Sequence, residues 1–461
     1  MAFNKENVML ETYDLIVVGA GSGGCATAKI ASEKGLRVLL IDKRKKKDIG
    51  DKLTYDTIPA YAFREIDIPY PEGKELDMKM EKLKVLSPNK KHNFEAPLDA
   101  FLAHRHLLGQ RLLKYALDAG ADLISEADVI SPLVEDNFVV GVKCRLADGS
   151  EKELRSKVTC DASGIRAVVR NMLPKEIYNA EEIRPEDTVQ CYREVRDLIG
   201  TCDYVPPSDY PGWYCILQNR GYFWIVPEGD GEVNVGCGLP MFADNPDPKD
   251  VTIDFCNEHP KIFGEEIYGK GTGPTPFIPM RADQPELVAN GLVLVGEAGW
   301  QIATNSGFGV PGSIVAGKLA AGVVAKAVEK GDVSREKLWE YNVLWKKGQG
   351  AVRAFTDGIR LLVQGLDHEE LNNLVRLKLL GPKEFSYLWQ DQTFRYNIFE
   401  MAAKFFKGIG HIPLLLKIFR AFRTCVKIEN IYQDFPEDTQ DFDAWEKSKD
   451  KAYKKLSKIV K

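Results

Sequence analysis

Paired cysteines, metal-ligand spacings and long uncharged apolar runs are all missing from this chain. Its nine cysteines are scattered, odd in number and never spaced C-x-x-C, which argues against a disulfide framework and a zinc site. Reduced thiols and a cytoplasmic location are expected. The six histidines have no persuasive partners in the sequence; His104 and His106 merely bracket Arg105. No serine or cysteine nucleophile arrangement stands out, and no metal is expected. No run of about 18 uncharged apolar residues occurs, and Met1–Thr12 is polar and charged rather than a secretory leader. Neither a transmembrane helix nor a signal peptide is therefore expected. A net charge of −5 offers nucleic acid no basic footprint. Internal repeats are absent as well.

What the chain does have is a fingerprint near its start. Tyr13-Asp14-Leu15-Ile16-Val17-Val18 is an apolar, β-branched run that ends in Gly19-Ala20-Gly21-Ser22-Gly23-Gly24. A helical pattern follows, then a second strand closing on Ile41-Asp42. This order, G-x-G-x-x-G between a strand and a helix, builds a dinucleotide site with pyrophosphate at the helix N-terminus. Gly19 permits the tight turn, Gly21 lets the backbone approach phosphate, and Gly24 allows close helix–strand packing. Asp42 lies 18 positions beyond Gly24, where a carboxylate accepts hydrogen bonds from ribose hydroxyls.

A length of 461 residues suggests two or three packed units. Strand-like alternation runs through Pro69–Leu98, a helix is expected from about Ala103 to Ala119, and strands recur to Cys160 with a hairpin at Asp148-Gly149. Thr188 to Pro279 is rich in strand-forming aromatics, among them Trp213, Tyr214, Tyr222 and Trp224, and reads as an inserted antiparallel sheet. Gly291–Gly296 reads as a buried parallel strand and Val310–Glu329 as a helix. Beyond Asp332 the pattern is helical.

Two further strand-to-helix turns favour a flavin over a nicotinamide. Val158-Thr159-Cys160-Asp161-Ala162-Ser163-Gly164 runs from a strand into small residues, with Arg166 and Arg170 beyond. Gly296-Glu297-Ala298-Gly299 places a carboxylate at a strand end, where it can bind the ribityl hydroxyls of FAD. Gly307-Phe308-Gly309 then opens a helix whose positive end can stabilise negative charge on a reduced flavin ring. Each turn alone is as readily a routine loop.

On these residues the chain resembles the geranylgeranyl reductases, FAD-dependent enzymes that saturate isoprenoid chains. The resemblance covers roughly residues 13–330. Gly50-Asp51-Lys52-Leu53-Thr54-Tyr55-Asp56 is similar to the family's flavin loop G-D-K-x-C-x-D, and Tyr222-Phe223-Trp224-Ile225-Val226-Pro227 to its substrate motif Y-x-W-x-F-P. Val233-Asn234-Val235-Gly236-Cys237-Gly238 and Cys191-Tyr192-Arg193-Glu194-Val195 resemble two further stretches. The implied fold is α/β: a Rossmann-type FAD-binding domain with an inserted antiparallel-sheet substrate domain and a C-terminal helical region, as in p-hydroxybenzoate-hydroxylase-like flavoproteins. The implied boundaries are 1–68, 99–175 and 285–331 for the first domain, 69–98 and 176–284 for the second, and 332–461 for the helices. An arginine contacting FAD maps to Arg105, with Arg111 as its rival. Thr54 stands where many members carry cysteine, which excludes a thiol donor there. Asn219 replaces a proline, Val226 a phenylalanine and Glu297 an aspartate.

The implied reaction delivers a hydride from flavin N5 and a proton to an isolated double bond in geranylgeranyl chains, as found in archaeal-type ether lipids. Asp51, Lys52 and Asp56 are the candidates for ordering the flavin edge and a proton-relaying water; a solvated loop is the plainer alternative. Tyr214, Tyr222 and Trp224 are candidate walls of an apolar tunnel, or simply sheet core. No second nucleotide site is evident, so a ferredoxin or other small carrier suits the role of electron donor as well as direct reduction by a nicotinamide does. Lys43–Lys47 and the basic, apolar segment Ile412–Arg423 suit either solvated faces or peripheral contact with the inner face of the cell membrane. Two alternatives stay open: a flavin-dependent monooxygenase or halogenase of the same fold, and a flavin- or lipid-binding protein without turnover.

Overall fold

The structure is a computed structural model describing residues 12–50, 55–218, 220–267 and 273–461. Two sheets organise it. In the first, strand Tyr13–Val18 lies between Val38–Ile41 and Glu151–Asp161, parallel to both. Asp122–Ile124 and Leu292–Leu294 extend the parallel set on either side. Leu15, Ile16 and Val17 are wholly buried, as expected for a parallel strand covered on both faces. The hairpin Asp128–Glu135/Phe138–Arg145 adds onto Glu151–Asp161, with its second turn at Asp148-Gly149.

Helix Ser22–Glu33 packs against both Arg105–Asp118 and Val310–Glu329. Small residues make this possible: a Cβ on Gly317 would sit 2.7 Å from the Gly23 carbonyl oxygen. By length and composition Val310–Glu329 is apolar enough to cross a membrane. It lies mostly buried within the fold, packed on Ser22–Glu33.

The second sheet holds the inserted region and is antiparallel throughout except where Gly212–Gln218 runs parallel to Leu76–Leu86. Thr188–Leu198, Glu232–Pro240, Gly221–Glu228 and Gly212–Gln218 are successive neighbours in it. Leu76–Leu86, Asn93–His104 and Tyr55–Pro59 continue the order. Tyr55–Pro59 and residues 99–104, expected in the nucleotide domain, thus pair within this sheet. Asn93–His104 leads directly into helix Arg105–Asp118, whose first turn is capped by His104: its Nδ1 accepts from the Leu107 amide. That capping bond accounts for His104.

Helices Arg335–Trp345, Ala351–Gln364, Ile412–Gln433 and Phe442–Val460 share one apolar core with the parallel sheet. A π-helical turn at Lys346–Gly350 points Lys346 inward. Its ammonium, fully buried, pairs with the fully buried Asp283 and donates to the Gln284 carbonyl. This contact joins the C-terminal helices to the chain entering strand Leu292–Leu294.

Candidate functional site

A cavity of about 820 Å³ runs between the two sheets. One end is built by the first turn. Gly19 adopts φ +101°, its amide donates to the Ile41 carbonyl at 2.8 Å, and a Cβ there would lie 2.5 Å from the Ala162 carbonyl oxygen. A Cβ on Gly24 would stand 1.8 Å from the Gly19 carbonyl oxygen, so Gly24 serves helix–strand contact rather than lining. A Cβ on Gly21 would meet nothing within 4 Å among the described residues, and Gly21 lines the cavity. Helix Ser22–Glu33 has no side-chain cap and no acid in its first turn, which leaves its terminal amides for an anion. Asp42 also faces the cavity. Its two oxygens accept from the Ala20 and Arg44 amides, each at 2.8 Å, which fixes its orientation beside the glycine turn.

Asp161 is wholly buried and does not line the cavity. One oxygen accepts from the Ser163 amide and hydroxyl, at 3.1 and 2.6 Å. The other accepts from the amides of Val169 and Arg170, at 3.0 and 2.9 Å. Arg170 in turn donates to the Ala298 carbonyl at 2.6 Å. Asp161 and Arg170 therefore clamp two loops together, and those loops place Gly164, Gly296 and Glu297 on the cavity wall. The Glu297 carboxylate lies between Gly164 and Gly309: a Cβ at either would fall 3.7 or 3.1 Å from its oxygens. Gly307, Phe308 and Gly309 line the cavity as well, and helix Val310–Glu329 opens there, again without a side-chain cap or first-turn acid.

Farther along, Gly50 (φ +79°) touches the helix Arg105–Asp118 through Gly109; a Cβ on either would come 2.7 Å from the other's Cα. Asp56 lies between Arg193, at 3.3 Å, and Arg105, at 3.5 Å. All three residues line the cavity. Arg111 points elsewhere, making a bidentate pair with Glu75 at 2.8 and 2.7 Å. Asp51, Lys52 and Thr54 lie outside the described residues, as does Asn219.

The other end of the cavity is aromatic. Trp213, Tyr222, Trp224 and Phe308 line it, backed by Trp389, whose ring centroid is 4.8 Å from Trp213, 5.3 Å from Phe308 and 6.0 Å from Tyr222. The polar tips of two rings are bound by protein. Tyr222 donates its hydroxyl to the Ser306 carbonyl at 2.8 Å, and Trp224 Nε1 donates to Asn234 Oδ1 at 2.9 Å. Tyr214 is on the opposite face of the sheet, in a separate core with Tyr210, at 4.9 Å in a T-shaped contact. The register explains this: Cys215 faces Trp224 and Leu217 faces Tyr222, so the odd-numbered residues of Gly212–Gln218, Trp213 included, share the cavity side.

Behind Trp224, Asn234 Nδ2 donates to Glu228 at 3.1 Å. Burial, aided by the charge of Asp77, pushes the Glu228 carboxyl up from 4.5 to about 7. Below pH 4.5 the group is protonated both folded and unfolded; as pH rises towards 7 only the unfolded chain loses the proton, so stability falls across that window. Glu228→Gln should therefore match the parent at pH 4.5 and exceed it by about 3 kcal/mol at pH 8. Urea unfolding of the two proteins at both pH values checks this.

Comparison with known proteins agrees with this geometry. The profile of the FAD dependent oxidoreductase family matches residues 14–171. The digeranylgeranylglycerophospholipid reductase of Sulfolobus acidocaldarius is 26% identical over 452 residues, covering 97% of this chain and 99% of that protein. Its counterpart in Methanosarcina acetivorans is 29% identical over 358 residues, 74% of this chain and 82% of the relative. The chain is an FAD-dependent oxidoreductase, similar to the geranylgeranyl reductases. Among solved structures, a geranylgeranyl bacteriochlorophyll reductase-like protein of Thermoplasma acidophilum superposes with a TM-score of 0.73 at 21% identity, covering 89% of this chain and 99% of that one. The flavin-dependent brominase Bmp2 superposes with a TM-score of 0.66 at 16% identity, covering 87% of this chain and 99% of that one. Both share the fold.

The cofactor is FAD, and the residues of this oxidoreductase suit it. The glycine cradle that a Cβ would fill and the two uncapped helix N-termini suit phosphate and an anionic ring. Asp42 and Glu297 both face the cavity, and their carboxyl groups suit sugar and ribityl hydroxyls. Sequence reasoning missed Arg193, Gly109, Trp213 and Trp389. Arg193 had a signal, since it stands inside the Cys191–Val195 stretch already matched to the family. The others depend on pairings that only the folded chain makes.

Proposed function

We propose that this oxidoreductase saturates isolated double bonds of geranylgeranyl chains, in ether lipids of the archaeal type. One observation carries the reading: the cradle suited to FAD opens without interruption into a chamber walled by Trp213, Tyr222, Trp224 and Phe308. The names of the curated relatives point to the same substrate class. Reduced FAD supplies the hydride from N5 when bound.

The chain's own residues do the rest. An isoprenoid offers no polar handle near the reacting bond, so affinity comes from buried area. Covering about 100 Å² of one isoprene unit contributes about 2.5 kcal/mol. Because Tyr222 and Trp224 give their polar tips to Ser306 and Asn234, their rings can meet the chain without exposing an unpaired donor to it. The aromatic wall would hold the alkene in place and exclude water from it. Arg105 and Arg193 fix the Asp56 side chain in the cavity wall, and Asp56, together with Asp51 and Lys52, would order the water that passes a proton to the second carbon. Glu297 and Asp42 hold the ribityl and ribose hydroxyls.

The test is anaerobic incubation of the chemically reduced, FAD-loaded protein with a digeranylgeranyl lipid, read by mass spectrometry. The expected product is heavier by two hydrogens for each bond reduced. Oxygenated or halogenated product under air, with no saturation under nitrogen, would sink the proposal. Trp224→Ala should keep its FAD and lose about 10- to 100-fold in kcat/KM for the lipid, the cost of one large ring contact.

A further inference from the structure

Helix Ile398–Lys407 has no buried residue, yet it carries Ile398, Phe399, Met401, Phe405 and Phe406. Ile398, Phe399 and Phe406 are 76%, 80% and 70% exposed. Ile398, Phe399, Phe405 and Phe406 repeat at i, i+1, i+7 and i+8, so one face of the helix is apolar. Beyond the turn Gly408–His411, Ile412, Leu416 and Phe419 form a second exposed stripe on helix Ile412–Gln433. Gly408 lies against Leu415, where a Cβ would come within 2.6 Å, so the end of the first helix touches the first turn of the second. Scattered exposed apolar residues are ordinary, whereas a contiguous set of large side chains marks a contact surface.

We propose that Ile398–Phe419 docks on an anionic lipid surface, with Phe399 and Phe406 entering the acyl boundary. Charge selects this occupant. In the segment from Ile398 to Arg423, Lys404 and Lys417 are paired with Glu384 and Glu370, and the one acid, Glu400, is paired with Lys383. This leaves Lys407, Arg420 and Arg423 as the exposed charges, all basic, in a chain whose net charge is −5. A helix of ten residues is about 15 Å long, half the thickness of a bilayer's hydrocarbon core, so it lies in the interface and does not span. The surface is also fastened to the cavity. Lys383 pairs with Glu400 at 2.5 Å and Lys404 with Glu384 at 2.9 Å, tying the exposed helix to Pro382–Trp389. That helix ends in Trp389, which touches the aromatic wall. A lipid-borne chain leaving the bilayer at this surface would therefore be next to the chamber. Substrate delivery by this route rests on the cavity reading given above; docking itself does not.

The experiment is vesicle flotation of the full-length, FAD-loaded protein, with phosphatidylcholine vesicles with and without phosphatidylglycerol. The parent protein should float with the anionic vesicles and much less with neutral ones. Phe399→Ser/Phe406→Ser should lower its partitioning by about 100-fold, with FAD content and turnover of detergent-dispersed geranylgeraniol unchanged. The proposal is overturned if the parent stays with the vesicle-free fraction or the double variant floats equally well. It is also overturned if gel filtration shows a parent dimer that the variant converts to monomer, since the face would then join two copies. Flotation without turnover in either protein would sink the cavity reading and leave docking standing.

Discussion

Gly24→Ala is expected to leave the protein without FAD. The added Cβ would stand 1.8 Å from the Gly19 carbonyl oxygen, far inside van der Waals contact. Gly19 cannot retreat. Its amide is bonded to Ile41, its φ of +101° suits glycine, and the Ala162 carbonyl closes its other side. The strain must move helix Ser22–Glu33 away from strand Tyr13–Val18, and with it the amides that form the phosphate seat. A loss of at least about 100-fold in FAD affinity is expected, equivalent to about 2.7 kcal/mol. Gly322→Ala is the matched control: it lies in helix Val310–Glu329 with nothing within 4 Å of its Cβ position. There alanine should be neutral or stabilising by up to about 1 kcal/mol. The flavin-to-protein absorbance ratio after purification, followed by titration of the apoprotein with FAD, distinguishes the two.

The second large effect is at the Lys346–Asp283 pair. Both side chains are fully buried, and burial pushes the Lys346 ammonium below its usual range while Asp283 opposes that shift. Asp283→Ala leaves a buried ammonium whose one hydrogen bond among the described residues goes to the Gln284 carbonyl, with the rings of Tyr432 and Trp445 5.6 and 5.7 Å away at their centroids and the more distant charges of Lys449 and Glu181 acting in opposite senses. Breaking such a pair from one side costs about 3–5 kcal/mol. Removing both charges in Asp283→Ala/Lys346→Met should recover most of that, because desolvation is then relieved together with the attraction. Chemical unfolding of the parent, the single variant and the double variant measures the difference. A single variant as stable as the parent would show that the pair does not tie the C-terminal helices to the nucleotide domain.

These two sites differ in how far they could be read from the chain. Gly19, Gly21 and Gly24 act through the backbone within six residues, and a turn of that kind has a local signature. The same holds for Gly307–Gly309 opening an apolar helix. Lys346 and Asp283 are 63 residues apart, and only a π-helical turn brings the lysine inward. Asp161 ends a strand as Asp42 does, in a turn that favours a flavin, but folding buries it under its own loop, where four donors hold it. Tyr214 and Trp213 illustrate a narrower difficulty: a strand's two faces alternate, so a shift of one residue exchanges tunnel for core. Without the register against Gly221–Glu228, sequence alone does not choose between them. Asp56 was singled out as one member of a charged loop. Its partner Arg193 lies 137 residues away, and the two meet only because Tyr55–Pro59 joins the second sheet.

The reading of this oxidoreductase as an isoprenoid reductase is tested most directly by titrating the photoreduced, FAD-loaded protein with a geranylgeranyl lipid under nitrogen while following the flavin spectrum. The expected result is return of the oxidised flavin band in proportion to the lipid added, with one double bond lost per flavin reoxidised. A flavin that stays reduced under nitrogen with excess lipid, and is reoxidised only when oxygen enters, would contradict it.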